Sequence, residues 1–371
     1  MERLNVLVVG GGIGGLTAAI ALRQRGHGVT VIERDPDWAV YGVGIIQPAN
    51  VVRAMSSLGL VDDYLSAGFG FDHIEVYAPD GLRLARVPSP RLVERYPASV
   101  GITRPALHKV LGDAAINVGA EVRLGVCVAE LAETGEQVEI AFTDRRTETF
   151  DLVVAADGAY SDMRARLFPD APKPQFVGQS VWRYNLPRPA SLDALHVYNG
   201  PTGIGLVPLS ETLMYMYVTT PEPGNPRYPR EGLAARMRER IAGCAPAIRA
   251  FGEQITDDAG VVYRPLETVM IEGPWHKGRV ALLGDAVHTS TPHLGQGAAM
   301  AIEDSLVLAE EVSRHADLET ALAAYRARRH PRCAYIYDTS AAICAGQLGK
   351  GPPVDNARAS GEAFAVTAAP I

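Results

Sequence analysis

The sequence predicts an α/β protein: a parallel sheet covered by helices, a mostly antiparallel sheet inserted into it, and helices at the C-terminal end. Three observations lead there. Leu4–Val9 (LNVLVV) is a short, Val-rich, nearly all-apolar run that breaks at once into glycines, as a strand buried on both faces does before a tight turn. Leu152–Ala155 and Arg279–Leu283 repeat that character far downstream and lead into Asp157-Gly158 and Gly284-Asp285. From about Phe176 to Tyr263 the texture changes to turn-separated, aromatic-rich strand patterns.

Taken in order, Ile13–Leu22 reads as a helix because Ile13, Leu16 and Ile20 recur at helical spacing, and Gly26 ends it. Val29–Ile32 is the next strand, closing on Glu33 and completing a βαβ unit of about 30 residues. Val51–Leu58 is helical before Gly59, and Ile74–Tyr77 and Leu82–Val87 alternate around Pro79-Asp80-Gly81 as a hairpin. Arg104–Val118 carries Leu107, Val110, Leu111 and Ala114 on one side of a helix; Val122–Leu124, Val128–Leu131 and Val138–Phe142 are short strands. In the inserted region Ser180–Leu186, Leu195–Tyr198, Gly203–Leu209 and Leu213–Thr219 read as strands, with a helix near Gly232–Ile241. Gly297–Val312 places Ala299, Ile302, Leu306 and Ala309 on one helix face. Leu318–Ile343 predicts a helical region interrupted at Pro331, which has no N–H to give. Gln347–Ile371, rich in Gly, Pro and Ala, predicts a loosely held tail.

With 371 residues, 47% apolar and 21% charged, the chain has the balance of a soluble globular protein of two domains or one large one. A net charge of −7 without a basic run is poorly suited to nucleic acid or an anionic membrane. No stretch approaches the ~20 apolar residues of a membrane span, and no cleavage site follows the first apolar run. Cys127, Cys244, Cys333 and Cys344 form no CxxC pair, which argues against a zinc or disulfide framework and fits a reducing cytoplasm. No His/carboxylate cluster has ligand spacing, so no metal is expected.

Two motifs carry chemistry. Gly10-Gly11-Gly12-Ile13-Gly14-Gly15 matches GxGxxG between a strand and a helix. Gly10 permits the turn, Gly12 lets the backbone approach a pyrophosphate, and Gly15 lets the helix pack on the sheet. The helix N-terminus offers free N–H groups and about half a positive charge, and Glu33 is placed to accept hydrogen bonds from a ribose. In the second motif, Gly284-Asp285 delivers a carboxylate at a strand end. Pro292-His293-Leu294-Gly295-Gln296-Gly297-Ala298 then leads into a Gly-rich helix start that favours an anion.

Gly10–Gly15 with Glu33, Asp157-Gly158, and Gly284-Asp285 with Gly295–Ala298, in that order and spacing, resemble the FAD-dependent aromatic hydroxylases. These are the single-component flavoprotein monooxygenases related to para-hydroxybenzoate and salicylate hydroxylases. The resemblance spans about Leu4 to Ala309. It implies a Rossmann-like FAD-binding fold of the glutathione-reductase type, with an inserted mostly antiparallel substrate-covering sheet and C-terminal helices. The expected division is an FAD-binding domain at 1–72, 102–175 and 273–346 (the last with the C-terminal helices), a substrate domain at 73–101 and 176–272, and the tail at 347–371.

By resemblance, Gly12, Ile13, Gly14 and Gly15 form the ADP-phosphate turn, and Glu33, flanked by Arg34, is the adenosine-ribose ligand. Gly44 and Ile45 pass beside the isoalloxazine, Arg104 lies near the ribityl and phosphate region, and Val128 near adenine. Asp157 belongs to a motif linked to both FAD and the nicotinamide cofactor; Asp285 is the ribityl ligand; Pro292, Gly295, Gly297 and Ala298 form the flavin-ring loop. The resemblance implies NADH or NADPH and O₂ as co-substrates, with a small electron-rich aromatic or N-heterocyclic ring hydroxylated through a flavin hydroperoxide.

On the substrate side, Leu213–Tyr217 alternates, so Tyr215 and Tyr217 share a face. The resemblance implies Tyr215, His293 and Pro292 as the catalytic residues, with Tyr215, where the family places an active-site tyrosine, orienting or deprotonating a substrate hydroxyl. Gln47, Arg183 and Tyr217 are the expected substrate-binding residues; Trp182-Arg183 resembles a Trp-Arg pair of the family's second sheet, which implies that Arg183 holds a carboxylate or braces a loop. His288 is expected to be structural. A monomer or homodimer is expected. Two other readings stay open: a flavoenzyme of the same fold with epoxidation, Baeyer–Villiger or reductase chemistry, and a non-catalytic nucleotide-binding protein.

Overall fold

A computed structural model describes residues 3–40, 42–200 and 203–371. Its first layer is a six-stranded sheet in the order His276–Lys277, Val280–Leu282, Leu152–Ala155, Asn5–Val9, Gly28–Glu33 and Glu121–Leu124, parallel except at His276–Lys277. Val9 stands level with Ile32 on one side and Ala155 on the other, and Ala155 with Leu282. The C-terminal ends of four strands remote in sequence therefore finish at one level. The glycine loop, Glu33, Asp157 and Asp285 all leave the sheet there, the edge where open α/β sheets bind ligands.

The second layer is a seven-stranded sheet in the order Val262–Met270, Gln175–Pro187, Leu213–Pro221, Gly203–Pro208, Leu195–Tyr198, His73–Tyr77 and Arg83–Pro88. It is antiparallel except where Leu195–Tyr198 meets His73–Tyr77. Alternation gives it two distinct faces. Trp182, Met214, Met216 and Val218 turn to a back face packed with residues of the helices Leu233–Ile241 and Pro246–Gly252. Arg183, Tyr215 and Tyr217 turn to the front, toward the first layer.

A three-stranded sheet joins the layers: Gly44–Gln47 and Phe69–Phe71 on either side of Ser99–Thr103. It is absent from the sequence reading, and Ser99–Thr103 runs across the division expected at 101–102. A Cβ at Gly44 would enter the Tyr215 ring, and one at Gly101 the carbonyl of Pro208, so glycine sets how closely the sheets approach.

Two expectations at the C-terminal end are corrected. The helix Leu318–Gln347 runs through Pro331 without interruption. Arg329 and Arg332, either side of the proline, bind Glu303 and Asp304 of the neighbouring helix Gly297–Arg314, and these buried ion pairs hold the helix on course. The tail is not loose. Asn356–Ala368 is a helix capped by Asp355, and Arg53, Arg332 and Arg328 grip the carbonyls of Thr367 through Ile371.

Candidate active site

The glycine loop forms as the motif requires. A Cβ at Gly10 would run into the Ala156 carbonyl and one at Gly15 into the Gly10 carbonyl, whereas one at Gly12 would meet nothing within 4 Å. Gly12 thus faces open space over the N-terminus of Ile13–Gln24, which no side chain caps. Glu33 is turned inward: its Oε2 accepts from the Gly11 N–H at 2.8 Å and its Oε1 from Asp35 N–H at 2.9 Å. Arg34 is exposed. Val126 N–H donates to the Glu33 carbonyl, which brings buried Val128 to this corner.

Sequence reasoning missed Trp38 and His108. Trp38 Nε1 and His108 Nε2 both reach the Gly11 carbonyl at 2.9 Å, and their rings meet edge to face. Both lie outside every motif, so only the tertiary contact reveals them.

Asp157 receives Met163 N–H on Oδ2, while its Oδ1 is buried without a partner. Burial raises its pKa. Asp285 opens to solvent yet sits deep among protein atoms; that desolvation raises its carboxyl pKa, opposed by His288 and Arg104. The turn that presents Asp285 is fixed from below. Asp304 Oδ2 accepts from Gly284 N–H at 3.1 Å and lies 2.6 Å from His288 Nε2. His288 is therefore structural, as expected.

Pro292–Leu294 is a 3₁₀ turn closed by Gly295 at φ +65. Cβ atoms at Gly295 and Gly297 would meet nothing within 4 Å, and the helix Gly297–Arg314 starts without a side-chain cap. Gly297 and Ala298 thus present a second uncapped helix start to open space.

Arg104, first residue of the helix Arg104–Asn117, is the hinge of the site. It lies within electrostatic reach of Asp285 on one side and of Arg183 and Tyr215 on the other. Arg183 is half-buried between Tyr215 and Tyr217; desolvation and Arg104 lower its pKa to about 10, so it stays cationic at neutral pH. Its guanidinium makes no hydrogen bond or ion pair among the described residues. The Tyr215 and Tyr217 rings are 6.1 Å apart, and Tyr217 lies against Gly205. Burial pushes the Tyr215 phenol up to about 12 and raises Tyr217 further. Tyr215 is thus a donor at neutral pH, not the base that one expectation allowed.

Two more expectations change. Gln47 alternates with Ile46, which packs beside Tyr215, so it shares the face of Ile45 and points to the first layer. It is fully buried with Oε1 unpartnered, and does not stand with Arg183 and Tyr217. His293 has both ring nitrogens engaged, Nδ1 with Thr291 at 2.9 Å and Nε2 with Gln347 at 3.1 Å, and burial lowers its pKa. It is neutral and not free to act as a base. His288, Asp304 and Cys333 cluster closely enough for a metal, but Arg329 already binds Asp304 in the same buried space, and a second cation there would be repelled.

The site fits FAD. The helix starts at Ile13 and Gly297 carry no side-chain cap, a Cβ at Gly12, Gly295 or Gly297 would meet nothing within 4 Å, and Gln47 Oε1 and Asp157 Oδ1 are buried without partners, so groups of the kind that hold a dinucleotide's phosphates and polar edges are present. Comparison with known proteins agrees. The family model for the FAD binding domain matches residues 3–340. YetM of Bacillus subtilis, grouped with FAD-dependent monooxygenases, is 35% identical over 352 residues, 94% of this chain and 95% of its own. The 2-heptyl-3-hydroxy-4(1H)-quinolone synthase of Pseudomonas aeruginosa is 29% identical over 351 residues, 94% and 90% of the two chains. The structure of Klebsiella pneumoniae HpxO with FAD and uric acid superposes with a TM-score of 0.85 at 26% identity, covering 98% of this chain and 92% of that one. No helix among the described residues is long and apolar enough to cross a membrane.

Proposed function

Because this chain belongs to the FAD-binding-domain family and is an FAD-dependent aromatic hydroxylase, we propose that its substrate is a small anionic heteroaromatic ring held against the front face of the seven-stranded sheet by Arg183. The observation that carries this reading is a half-buried guanidinium without a hydrogen-bond partner, whose strongest charged neighbour is a second arginine, Arg104. Such a cation is stabilised by an anionic guest. A relative named as the synthase of a hydroxyquinolone and a similar structure that holds uric acid support a ring of this class.

FAD would be held at its phosphates by Gly12, Ile13, Gly14 and Gly15, and at the adenosine end by Glu33, Arg34 and Val128. Arg104, Asp157 and Asp285 would hold its middle, and Gly44, Ile45, Gly295, Gly297 and Ala298 would flank its ring. Bound there and reduced by NADH or NADPH, it supplies the activated oxygen of the reaction. The chain's own residues do the rest. Arg183 fixes the ring's orientation, the Tyr215 phenol donates to the substrate oxygen, and Tyr217 and the sheet exclude water. The N–H groups of Gly297 and Ala298 favour negative charge at the ring edge.

The test uses purified protein loaded with FAD and a panel of uric acid, 4-hydroxyquinoline and hydroxypyridine carboxylates. The expected outcome is NAD(P)H oxidation stimulated by at least one compound, with a product one oxygen heavier. FAD loading with no compound accelerating oxidation would contradict the substrate class.

A further inference from the structure

Asn185 lies outside every motif of the sequence, and only the folded chain gives it a place at the site. It stands on the strand Gln175–Pro187, two residues after Arg183 and on the same front face, directly opposite Tyr215 in the ladder. Its Nδ2 donates to the Gly42 carbonyl at 2.6 Å. A carbonyl only accepts, so this contact fixes which end of the amide is the nitrogen. The hydrogen bond crosses from the seven-stranded sheet to the segment that leads into the strand Gly44–Gln47.

That segment is held at successive residues. Asn185 binds the carbonyl of Gly42, the Arg104 N–H donates to the carbonyl of Val43 at 3.1 Å, and Gly44 pairs with Thr103. Gly44 in turn lies against the Tyr215 ring, where a Cβ would stand 2.2 Å from Cδ1. Of these hydrogen bonds, Asn185 makes the one that reaches the segment from the strand of Arg183.

Stability does not account for the amide. Asparagine is disfavoured in strands. With Nδ2 engaged, Oδ1 is buried and has no partner, which costs free energy that an apolar side chain of similar size would not. Gly42 is exposed, so water can reach its carbonyl once the amide is removed.

We infer that Asn185 is a positioning residue for oxygen transfer: its hydrogen bond to Gly42 fixes the strand that holds the guest, through Arg183, against the segment that flanks the FAD ring. The inference rests on the functional reading above and deepens it. Arg183 holds the guest; Asn185 sets where that guest stands relative to the ring. A displacement of about 1 Å at a reacting pair can cost on the order of 10²-fold in rate, while the contacts that bind FAD and guest, each on its own side, are kept. The two electrons of NAD(P)H then leave on O₂ as hydrogen peroxide in place of hydroxylated product.

The decisive variant is Asn185→Leu, similar in size and without a donor. FAD-loaded wild type and variant are compared with uric acid and 4-hydroxyquinoline. FAD affinity is read by fluorescence, and guest affinity by anaerobic titration of the visible spectrum of bound FAD. Product and hydrogen peroxide per NAD(P)H and the melting temperature are measured alongside. The expected result is a product-to-peroxide ratio lower by about tenfold or more, with both Kd values unchanged and a melting temperature that does not fall. An unchanged ratio would overturn the inference alone, and so would a ratio that falls together with FAD affinity, guest affinity or melting temperature. If Asn185→Leu fails to load FAD, Asn185→Ala takes its place with the same expectations, and failure of both to load FAD would also overturn the inference. Wild-type protein that makes product from neither ring would overturn the substrate reading, and this inference with it.

Discussion

Tyr215 and Arg183 face the same cleft from adjacent strands, and their chemistry there differs. The Tyr215 phenol, pushed up to about 12 by burial, keeps its proton across the working pH range and acts only as a donor. Tyr215→Phe is expected to lower kcat about tenfold, the scale of one lost neutral hydrogen bond in an enclosed site, while FAD affinity stays unchanged. Steady-state kinetics with fluorescence titration of FAD checks this. Arg183→Gln is expected to raise KM for an anionic substrate about 10- to 100-fold, the scale of a charge-assisted hydrogen bond, with a much smaller effect on a neutral analogue. In the sequence, alternation put Tyr215 on one face with Tyr217, whereas Arg183 was singled out only by the resemblance of Trp182-Arg183 to a pair in the family's second sheet. The orientation of Gln47 and the engagement of His293 were not legible there. Whether a polar side chain faces the guest or the scaffold depends on partners such as Gln347 and Thr291, which no local pattern encodes.

At the scale of elements, the turn carrying Asp285 depends on the helix beside it. Asp304 accepts from Gly284, His288 and Arg329 in a fully buried cluster. Asp304→Ala would strand two buried cations and is expected to lose about 3–5 kcal/mol of stability, read as a lower melting temperature. Burial opposes the charge on His288, but Cys333 and Asp304 outweigh it and raise the His288 pKa well above the ordinary imidazole value. The raised folded pKa fixes the sign. The stability it contributes is complete below about pH 6.5 and is lost as pH rises through the folded value. The melting-temperature gap between wild type and His288→Asn should therefore narrow on the alkaline side; a gap that widens there would contradict the protonated state. Pro331 teaches a related lesson. Its missing N–H predicts a break that the helix does not show, because the ion pairs of Arg329 and Arg332 with a neighbouring helix override it.

Across the whole molecule, the parallel strands were legible because burial on both faces leaves continuous apolar runs such as Val6–Val9 and Leu152–Ala155. Their convergence could be inferred only from the motifs at their ends. The joining sheet of Gly44–Gln47, Phe69–Phe71 and Ser99–Thr103 was invisible. Its strands have three to five residues, contain glycine, and exist through long-range pairing rather than through their own pattern. That sheet brings the two layers to the distance at which Arg104 faces Asp285 and Arg183 together. The central claim is that Arg183 holds a ring to which, with FAD bound, one atom of O₂ would be added. Turnover of the best panel substrate under ¹⁸O₂, followed by mass spectrometry, tests it most directly. The expected product carries one ¹⁸O atom per NAD(P)H consumed; unlabelled product, or hydrogen peroxide released with the ring unchanged, would contradict it.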